Sequence, residues 1–391
     1  MKPSKYYNIA RLRAGAKRTL PRPIFDYIDG GADDEIAMHR STSAFDQMEF
    51  LPRFLQDISR PDHNVEIFGQ RIPFPLLLSP TGLTALFHKD AERAVARAAG
   101  DAGLPYCLST LGNTTIEEFA ATGTGPKLFQ IYIFKDRGLT EEFVQRAKEC
   151  RYAGLVLTVD TLIPGKRERD IASGLQLPPR LSARAFLDFA LRPKWSLPAL
   201  FGRNFEFVNV AHRVAGLSGK KMSLVEYIGE QFDRSVTWKD VEWLASKWNG
   251  PLAIKGLVTG SDAQCAVNCG ADTIYVSNHG GRQLETCVSP ITQIAEVANA
   301  VSGRAKVICD GGIRRGSHIV KALAMGADAC SIGRPYLYGL AAGGQNGVER
   351  ALGILREEYE RTMTLLGVAS PKELDPAMLT AAKPGFPPCW T

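Results

Sequence analysis

The amino-acid sequence predicts an α/β protein of the (β/α)8, or TIM-barrel, class. Eight short runs of apolar or β-branched residues follow one another from residue 75 onward, and stretches with helical periodicity lie between them. Polar or glycine residues follow each run. Eight strands that are each followed by a helix close into a barrel, whereas an open doubly wound sheet more often has about five to seven strands.

The predicted elements can be placed in order along the chain. The strand-like runs are 75–79, 106–110, 128–131, 155–159, 252–255, 273–277, 306–309 and 329–332. Helical spacing occurs at 91–99, 141–150, 238–248, 291–301, 319–325 and 352–366. We expect one domain over 1–391, with a helical N-terminal segment, a barrel over about 75–366 and an insertion over about 175–222 that follows the fourth strand.

The composition is that of an ordinary globular protein, with 45% hydrophobic and 23% charged residues. The segment 175–222 alone has eight basic and two acidic residues, so its net charge of +6 equals that of the whole chain. A basic excess confined to one segment argues against a nucleic-acid-binding protein. No early apolar run is long enough for a signal peptide, so we expect a cytoplasmic chain whose cysteines are buried and reduced. The pair Cys265 and Cys269 lacks a second pair, so no metal site is predicted.

Residues at the carboxyl ends of the runs are the candidates for an active site, because barrel active sites lie at that face. In chain order they are Pro80, Thr81 and Gly82; Ser109; Gln130 and Tyr132; Thr158 and Asp160; Lys255; Ser277 and His279; Asp310, Gly311 and Gly312; and Gly333 and Arg334. Capping of the following helices would explain any one of them. It does not explain Lys255 and Gln130 together with the rest.

The seventh and eighth strand ends predict a phosphate site. Glycines at 311, 312 and 333 free backbone amides near a helix start, and Arg314 and Arg334 supply positive charge. Barrels commonly bind phosphate at this position. The chain has neither GxGxxG after a strand nor GxxxxGK[ST], so a flavin is a better candidate than a nicotinamide or a nucleoside triphosphate.

The sixth strand end, Ser-Asn-His-Gly-Gly-Arg-Gln-Leu at 277–284, suits the oxidation of a hydroxy acid. His279 can take a hydroxyl proton near neutral pH, and Arg282 can bind a carboxylate. Asp160 is placed to orient the imidazole, although a structural aspartate at a helix start is the alternative.

These motifs resemble the FMN-dependent α-hydroxy-acid oxidase and dehydrogenase family, which includes glycolate oxidase, L-lactate dehydrogenase and mandelate dehydrogenase. The resemblance rests on Phe-Asp-Tyr-Ile-Asp-Gly-Gly-Ala at 25–32, Pro-Thr-Gly at 80–82, the segment 277–284 and Ile-Gly-Arg-Pro at 332–335. It covers nearly the whole chain and is closest to the membrane-bound lactate and mandelate dehydrogenases. It also implies a homotetramer.

The resemblance implies a role for each matching residue. His279 becomes the catalytic base with Asp160 as its partner, Tyr132 binds the substrate hydroxyl, and Tyr27, Arg282 and Arg167 bind the substrate carboxylate. The FMN-binding residues are implied to be Pro80, Thr81, Gly82, Ser109, Gln130, Thr158, Lys255, Ser277, Asp310, Gly311, Gly312, Arg314, Gly333 and Arg334. The substrate is implied to be an L-2-hydroxy acid, with lactate favoured and mandelate as the other candidate, and Leu83 and Leu111 are expected to shape its side-chain pocket.

Two features favour a membrane quinone or other carrier over oxygen as the electron acceptor. Gly82 stands where, by the resemblance, oxidases carry alanine. The insertion interleaves Phe186, Leu187, Phe189, Leu191, Trp195, Leu200 and Phe201 with arginines and lysines, which suits the anionic inner face of the cytoplasmic membrane. The alternatives are a flap over the active site and a soluble oxidase that makes peroxide. A non-redox flavin barrel or a phosphate-binding module is a further alternative, but neither would use His279 and Arg282.

Overall fold

The computed structural model describes residues 5–174, 183–200, 207–215 and 229–382, and it contains a closed barrel of eight parallel strands. The strands, labelled β1 to β8, are Leu76–Leu78, Tyr106–Ser109, Lys127–Ile131, Gly154–Thr158, Leu252–Leu257, Thr273–Ser277, Lys306–Asp310 and Ala329–Ile332. Pairing of Cys330 with Leu76 joins β8 to β1 and closes the sheet. The predicted fold class is therefore confirmed, and every predicted strand is found within one or two residues of its expected bounds.

Side chains of the strands alternate between the barrel interior and the surrounding helices. In β1, Leu77 belongs to the inner cluster, whereas Leu76 and Leu78 belong to the outer one. A hairpin of the strands Val65–Ile67 and Gln70–Ile72 covers the amino end of the barrel, where its Phe68 lies against the first residue of β4. Side chains thus fill that end, and a cavity lies at the carboxyl end.

Helices surround the barrel and precede it. Labelled α1 to α15, they are Ile9–Thr19, Arg22–Asp29, Ile36–Ser43, Ala91–Asp101, Ile116–Ala121, Arg137–Glu149, Glu168–Ser173, Ala183–Ala190, Pro193–Leu200, Ala211–Ala215, Trp238–Trp248, Gly260–Asn268, Pro290–Val301, Gly316–Ala324 and Arg334–Leu366. All six predicted helical stretches are confirmed. The sequence pattern missed α5 and α12, because the first is short and the second has few large apolar residues. The last helix, α15, is broken at Gly343 and Gly344.

The N-terminal segment is helical, as predicted. Its first helix, α1, packs against α15, where Gly15 lies against Ala342 and Arg350 Nε donates to the carbonyl of Tyr6 at 2.8 Å. A short antiparallel pair, Met48–Phe50 with Leu379–Ala381, joins the two ends of the chain again. The N-terminal residues are therefore held by the C-terminal half of the barrel.

The described part of the connection after β4, 159–174, 183–200, 207–215 and 229–237, contains four short helices, α7 to α10, where the sequence showed no clear period. Each has eight residues or fewer, too short for an amphipathic pattern to be distinguished. Trp195, which we expected at a membrane surface, is instead buried and donates through Nε1 to the carbonyl of Leu86 at 2.7 Å. Phe207 and Val210 are also buried in the main core. Within the expected insertion, Arg180, Phe201, Arg203, Lys220 and Lys221 lie outside the described residues, as do the side chains of Arg184, Phe186, Lys194 and Leu200.

Neither a membrane-spanning helix nor a metal cluster occurs among the described residues. No helix there has the length and apolar character needed to cross a bilayer, and no three potential metal ligands lie together. Cys107, Cys309 and Cys330 are buried in strands, as expected. Cys265 is exposed, which corrects the expectation that it is buried, because it lies on the solvent side of α12.

Candidate active site

A cavity of about 360 Å³ lies at the carboxyl ends of the strands and collects the residues that the sequence singled out. The predicted residues that line it are Tyr27, Pro80, Thr81, Gly82, Ser109, Gln130, Tyr132, Thr158, Arg167, Lys255, His279, Arg282, Asp310, Gly311, Gly312, Arg314, Gly333 and Arg334. The other two, Asp160 and Ser277, lie directly behind this wall and contact residues that form it. One cavity therefore receives side chains from all eight strand ends and from α2.

His279 and Asp160 form a hydrogen-bonded pair, with 2.9 Å between the imidazole Nδ1 and Oδ1 of the carboxylate. Burial alone would raise the pKa of Asp160, but the adjacent His279 and Lys255 overcome this effect and lower it. Asp160 therefore stays ionised beside the imidazole. Glycine is required at 256, in the bulge of β5, because a Cβ there would lie 2.7 Å from Asp160.

Two arginines and a tyrosine form one end of the cavity. Arg282 Nη1 donates to the carbonyls of Tyr27 and Gly30, at 2.7 and 2.9 Å, and its guanidinium lies over the Tyr27 ring. Burial lowers the pKa of Arg282, and the positive charge of Arg167 lowers it further. Arg167 pairs with Asp170 at 2.7 Å. Arg282 forms hydrogen bonds to backbone carbonyls and Arg167 to one carboxylate, so the two guanidinium groups leave this end of the cavity suited to an anion.

Tyr132 lies between this end and His279. It is buried, its ring packs edge to face on Phe232 with 5.0 Å between centroids, and burial raises the pKa of its hydroxyl. The hydroxyl therefore stays protonated and able to donate a hydrogen bond.

Buried polar atoms line the cavity next to β2, β3 and β4. Gln130 Oε1 accepts from the Ser109 hydroxyl at 3.1 Å and from the Thr110 amide at 3.2 Å, which fixes the side-chain amide. Its Nε2 and the Thr158 hydroxyl are buried without a hydrogen-bond partner in the described part of the chain. Because such groups are costly when left unpaired, both suit a ligand that carries several donors and acceptors along one edge.

On the opposite side, Lys255, Ser277 and Asp310 form a buried network. Lys255 Nζ lies 2.9 Å from Asp310 Oδ2 and donates to the Ser277 hydroxyl at 3.1 Å, and that hydroxyl donates to Asp310 at 2.7 Å. Burial would lower the pKa of Lys255, but Asp310 and Asp160 raise it above its ordinary value. The ammonium group is therefore held charged and in a fixed position.

The predicted phosphate site combines glycine loops with buried positive charge. Gly311 and Gly312 have φ angles of +134° and +75°, which favour glycine, and Gly333 caps the start of α15. The Arg334 side chain is not directed as expected, because it donates to the carbonyls of Ile28, Gly30 and Gly280. Its backbone lies in the first turn of α15, where helix amides favour an anion. Burial lowers the pKa of Arg334, and the charges of Arg282 and Arg314 lower it further.

These features fit FMN, the cofactor that the resemblance implies. The unpaired atoms of Gln130 and Thr158 match the polar edge of a flavin ring, and the glycine loops with Arg314 and the start of α15 match its phosphate. Lys255 and Asp310 line the same cavity.

Sequence reasoning missed several residues of this cavity. The Ser79 hydroxyl donates to Asp310 and is hydrogen-bonded to the Ser331 hydroxyl. Ser79 ends the first predicted strand and Ser331 lies in the eighth, so their positions could have identified them. Thr161 lies 3.5 Å from His279 Nδ1. Phe207 and Phe232 come from the connection after β4, and no pattern in that segment indicated that they reach the cavity.

Comparison with known proteins agrees with this geometry. A profile of FMN-dependent dehydrogenases matches residues 16–381. The chain is 38% identical over 368 residues to an L-lactate dehydrogenase of Alcaligenes faecalis, covering 94% of this chain and 97% of that protein. It is 39% identical over 363 residues to glycolate oxidase 1 of Oryza sativa subsp. indica, covering 93% and 92%. The crystal structure of (S)-mandelate dehydrogenase, described as a monotopic membrane protein, superposes with a TM-score of 0.90 at 37% identity, covering 96% of this chain and 99% of that one. The chain therefore belongs to the FMN-dependent dehydrogenase family, and FMN is its cofactor.

Proposed function

We propose that this FMN-dependent 2-hydroxy-acid oxidoreductase converts an L-2-hydroxy acid, with L-lactate favoured, to the 2-oxo acid. The observation that carries the proposal is that two groups of side chains face one cavity: His279, which is hydrogen-bonded to Asp160, and the partly buried Arg282 and Arg167. The first suits removal of a hydroxyl proton, and the second suits a carboxylate. A 2-hydroxy acid carries both groups on adjacent carbons.

Each residue then has a defined task. Arg282 and Arg167 bind the substrate carboxylate, Tyr27 supports them, and His279 takes the hydroxyl proton while Asp160 stabilises the resulting imidazolium. Tyr132 donates a hydrogen bond to the substrate oxygen. FMN, when bound, supplies the acceptor for the two electrons that leave the substrate.

The cofactor-binding role of the remaining residues follows from their place around the cavity. Backbone groups of Pro80, Thr81 and Gly82, with Ser109, Gln130 and Thr158, would hold the flavin ring. The Lys255 ammonium would stabilise negative charge on the reduced ring, and Ser277 and Asp310 would bind the ribityl chain. The phosphate would lie against Gly311, Gly312, Arg314, Gly333 and the backbone of Arg334.

The substrate side chain would lie against the apolar residues Leu83 and Leu111, which suits lactate and other small aliphatic acids. Mandelate is the second candidate, because Phe207 and Phe232 add aromatic surface to the same cavity. Relatives named L-lactate dehydrogenase and a structural neighbour named mandelate dehydrogenase support one candidate each.

For the acceptor, we propose a membrane quinone or another carrier, with oxygen as the alternative. Peripheral attachment to the cytoplasmic side of the inner membrane would bring the enzyme to a quinone. Leu187 of α8, Leu191 between α8 and α9, and Leu197 of α9 expose 58%, 63% and 54% of their surface, and these apolar side chains would suit a bilayer surface. The description of the mandelate dehydrogenase as monotopic supports this proposal. The homotetramer implied by the resemblance stays a prediction.

Anaerobic titration of the purified yellow protein tests the function. L-lactate, L-mandelate and glycolate are added separately, and flavin absorbance is followed. We expect L-lactate to bleach the flavin at the lowest concentration. Protein that holds FMN but is bleached by none of the acids would contradict the proposed reaction and favour a non-redox flavin barrel.

A further inference from the structure

Glu92 is a buried carboxylate that has no place in the chemistry described above. It lies in the first turn of α4 and has no exposed surface. Burial opposes the charged form of its carboxyl group, and the groups that favour the charged form are hydrogen-bond donors. A buried polar group is costly unless it is hydrogen-bonded, so these hydrogen bonds account for its place in the interior.

Those hydrogen bonds come from the loop that follows β2. The Asn113 amide donates to Oε1 of Glu92 at 3.0 Å, and the Thr114 hydroxyl donates to Oε2 at 2.8 Å. Burial raises the pKa of Glu92, and these two groups, with Thr84, oppose that change. A Cβ at Gly112 would lie 3.3 Å from Oε1. The Glu92 side chain therefore holds Asn113 and Thr114 of this loop and lies close to Gly112.

The loop after β1 is joined to the same structure. The Leu83 amide donates to the Leu111 carbonyl at 3.0 Å, and the Ala85 amide donates to Oδ1 of Asn113 at 2.9 Å. Leu83 is held at a φ of +56°, which a leucine rarely adopts. Because local strain of this kind persists only when the surroundings impose it, the hydrogen bonds to the second loop are needed to keep Leu83 in place.

Leu83 and Leu111 are also the aliphatic residues of the cavity wall on this side. Their positions depend on one another through a hydrogen bond, and both depend on the loop that Glu92 holds.

We propose that Glu92 is a positioning residue that sets the size of the side-chain pocket, and thereby decides which L-2-hydroxy acids are accepted. The inference rests on the proposed function and extends it to a residue that contacts neither substrate nor flavin. Loss of the carboxylate would remove the acceptor of the hydrogen bonds from the Asn113 amide and the Thr114 hydroxyl. The loop that carries Leu111, and with it the distance between Leu83 and Leu111, would then no longer be fixed.

The test compares Glu92→Ala with Glu92→Gln, which keeps one acceptor and the side-chain volume. Asp272→Asn is the control, because Asp272 is a carboxylate that also accepts a hydrogen bond from a backbone amide, but at the amino end of the barrel. L-lactate, L-2-hydroxy-4-methylpentanoate and L-mandelate are used as substrates. Calorimetry with pyruvate, 4-methyl-2-oxopentanoate and phenylglyoxylate measures binding without turnover.

We expect Glu92→Ala to change the ratio of kcat/KM between the largest and smallest acids by roughly tenfold, mainly through KM, because pocket contacts of one or two carbon atoms are worth about 10- to 200-fold. The 2-oxo acids should show the same change in Kd. The ratio for Glu92→Gln should stay close to that of the wild type. Asp272→Asn should lower thermal stability without altering the ratio. If Glu92→Ala does not fold, Thr114→Val should change the ratio in the same direction.

An unchanged ratio in a folded, FMN-replete Glu92→Ala or Thr114→Val protein would overturn the inference, as would an equal change in Asp272→Asn. Failure of the proposed function is a separate result, because wild-type protein would then oxidise none of the acids. The calorimetric ratios would still decide the role of Glu92 in that case.

Discussion

The Nδ1 atom of His279 lies 2.9 Å from a carboxylate oxygen of Asp160, and the histidine backbone is held at a φ of +56°. The neighbouring Gly280 and Gly281 also have positive φ angles, and the His279 amide donates to the Ser277 hydroxyl at 3.1 Å. The direction of the imidazole is therefore set by its backbone on one side and by Asp160 on the other. Such geometry suits a base that must face one substrate atom.

Replacement of that base gives the first prediction. His279→Asn should retain FMN, because the predicted flavin contacts are on other residues, and should lose about 100- to 10,000-fold in kcat. Flavin absorbance and turnover with L-lactate measure both quantities. His39→Asn, which changes an exposed histidine, is the control. Flavin-replete His279→Asn protein with near wild-type turnover would contradict the assignment.

Arg282→Met should raise KM for the substrate by about 10- to 100-fold, because a charge-assisted hydrogen bond contributes about 1.5–3 kcal/mol. The structure adds a second effect, since Arg282 also binds the carbonyls of Tyr27 and Gly30 and holds the end of α2. Arg282→Lys keeps the charge and should recover part of the affinity. Steady-state kinetics and flavin content are the measurements, and an unchanged KM in Arg282→Met would assign carboxylate binding elsewhere.

Gly82→Ala should raise the rate at which oxygen reoxidises the reduced flavin, on the basis of the family resemblance. A Cβ at this position would lie 3.2 Å from the Leu111 Cβ and 3.3 Å from its carbonyl oxygen, so Leu111 must move by a few tenths of an ångström. Stopped-flow mixing of reduced protein with aerated buffer gives the rate. A rate equal to or below that of the wild type would remove Gly82 as a reason to prefer a dehydrogenase to an oxidase.

Asp29→Asn should destabilise the protein in a pH-dependent way. Asp29 is buried and binds Arg13, Arg169 and Tyr338; burial would raise its pKa, but the two arginines lower it well below the ordinary value. A carboxylate with a lowered pKa stabilises the fold above its unfolded pKa, and this stabilisation is lost as the pH falls through the folded value. We expect a loss of about 3–5 kcal/mol at pH 7, the usual cost of removing one partner from a buried ion pair.

Denaturant unfolding at several pH values checks this prediction. The difference in the free energy of unfolding between wild type and Asp29→Asn should be largest above about pH 5 and should decrease toward pH 3, because aspartate in the unfolded chain has a pKa of about 3.9. Asp34→Asn changes an exposed neighbour and should have little effect. A difference that stays constant over this range would show that charge is not the cause.

Membrane attachment is tested with a triple variant, Leu187→Gln, Leu191→Gln and Leu197→Gln. Deletion of the whole insertion is less suitable, because Trp195 and Phe207 pack in the core. We expect binding to anionic vesicles to weaken by about tenfold or more, since each leucine transferred from water contributes about 1.5–3 kcal/mol when fully buried. Activity with an artificial dye should be kept.

Leu55→Gln and Leu365→Gln are matched controls, because both leucines are exposed but lie far along the chain from α8 and α9. Equal sedimentation of the triple variant and the wild type with vesicles would show that α8 and α9 do not provide the membrane contact.

The sequence predicted the barrel and most of the cavity because both depend on local patterns. A buried strand such as Thr273–Ser277 is a short run of β-branched and apolar residues, and His279, two residues after its end, lies at the carboxyl face. The side-chain direction of Arg334 could not be predicted, since it depends on carbonyls of Ile28 and Gly30, some 300 residues away in the chain.

Segments without regular periodicity were harder to interpret. A mixture of tryptophan, leucine and arginine is equally compatible with a membrane surface and with packing on a barrel. The structure separates the two for Trp195, which is buried, and Leu191, which is exposed. Glu92 appeared in the sequence as an ordinary acidic residue in the first turn of a helix, and only its burial distinguishes it.

The contact of the N-terminal helices with the last part of the chain has a consequence for synthesis on the ribosome. Tyr27 and Gly30 leave the ribosome early, but their partners Arg282 and Arg334 are made about 250 to 300 residues later. Helix α1 must also wait for α15 before its apolar face is covered. Because long-range contacts of this kind form slowly, the nascent N-terminal segment exposes apolar surface until translation is nearly complete, and it is a natural binding site for a chaperone during that time.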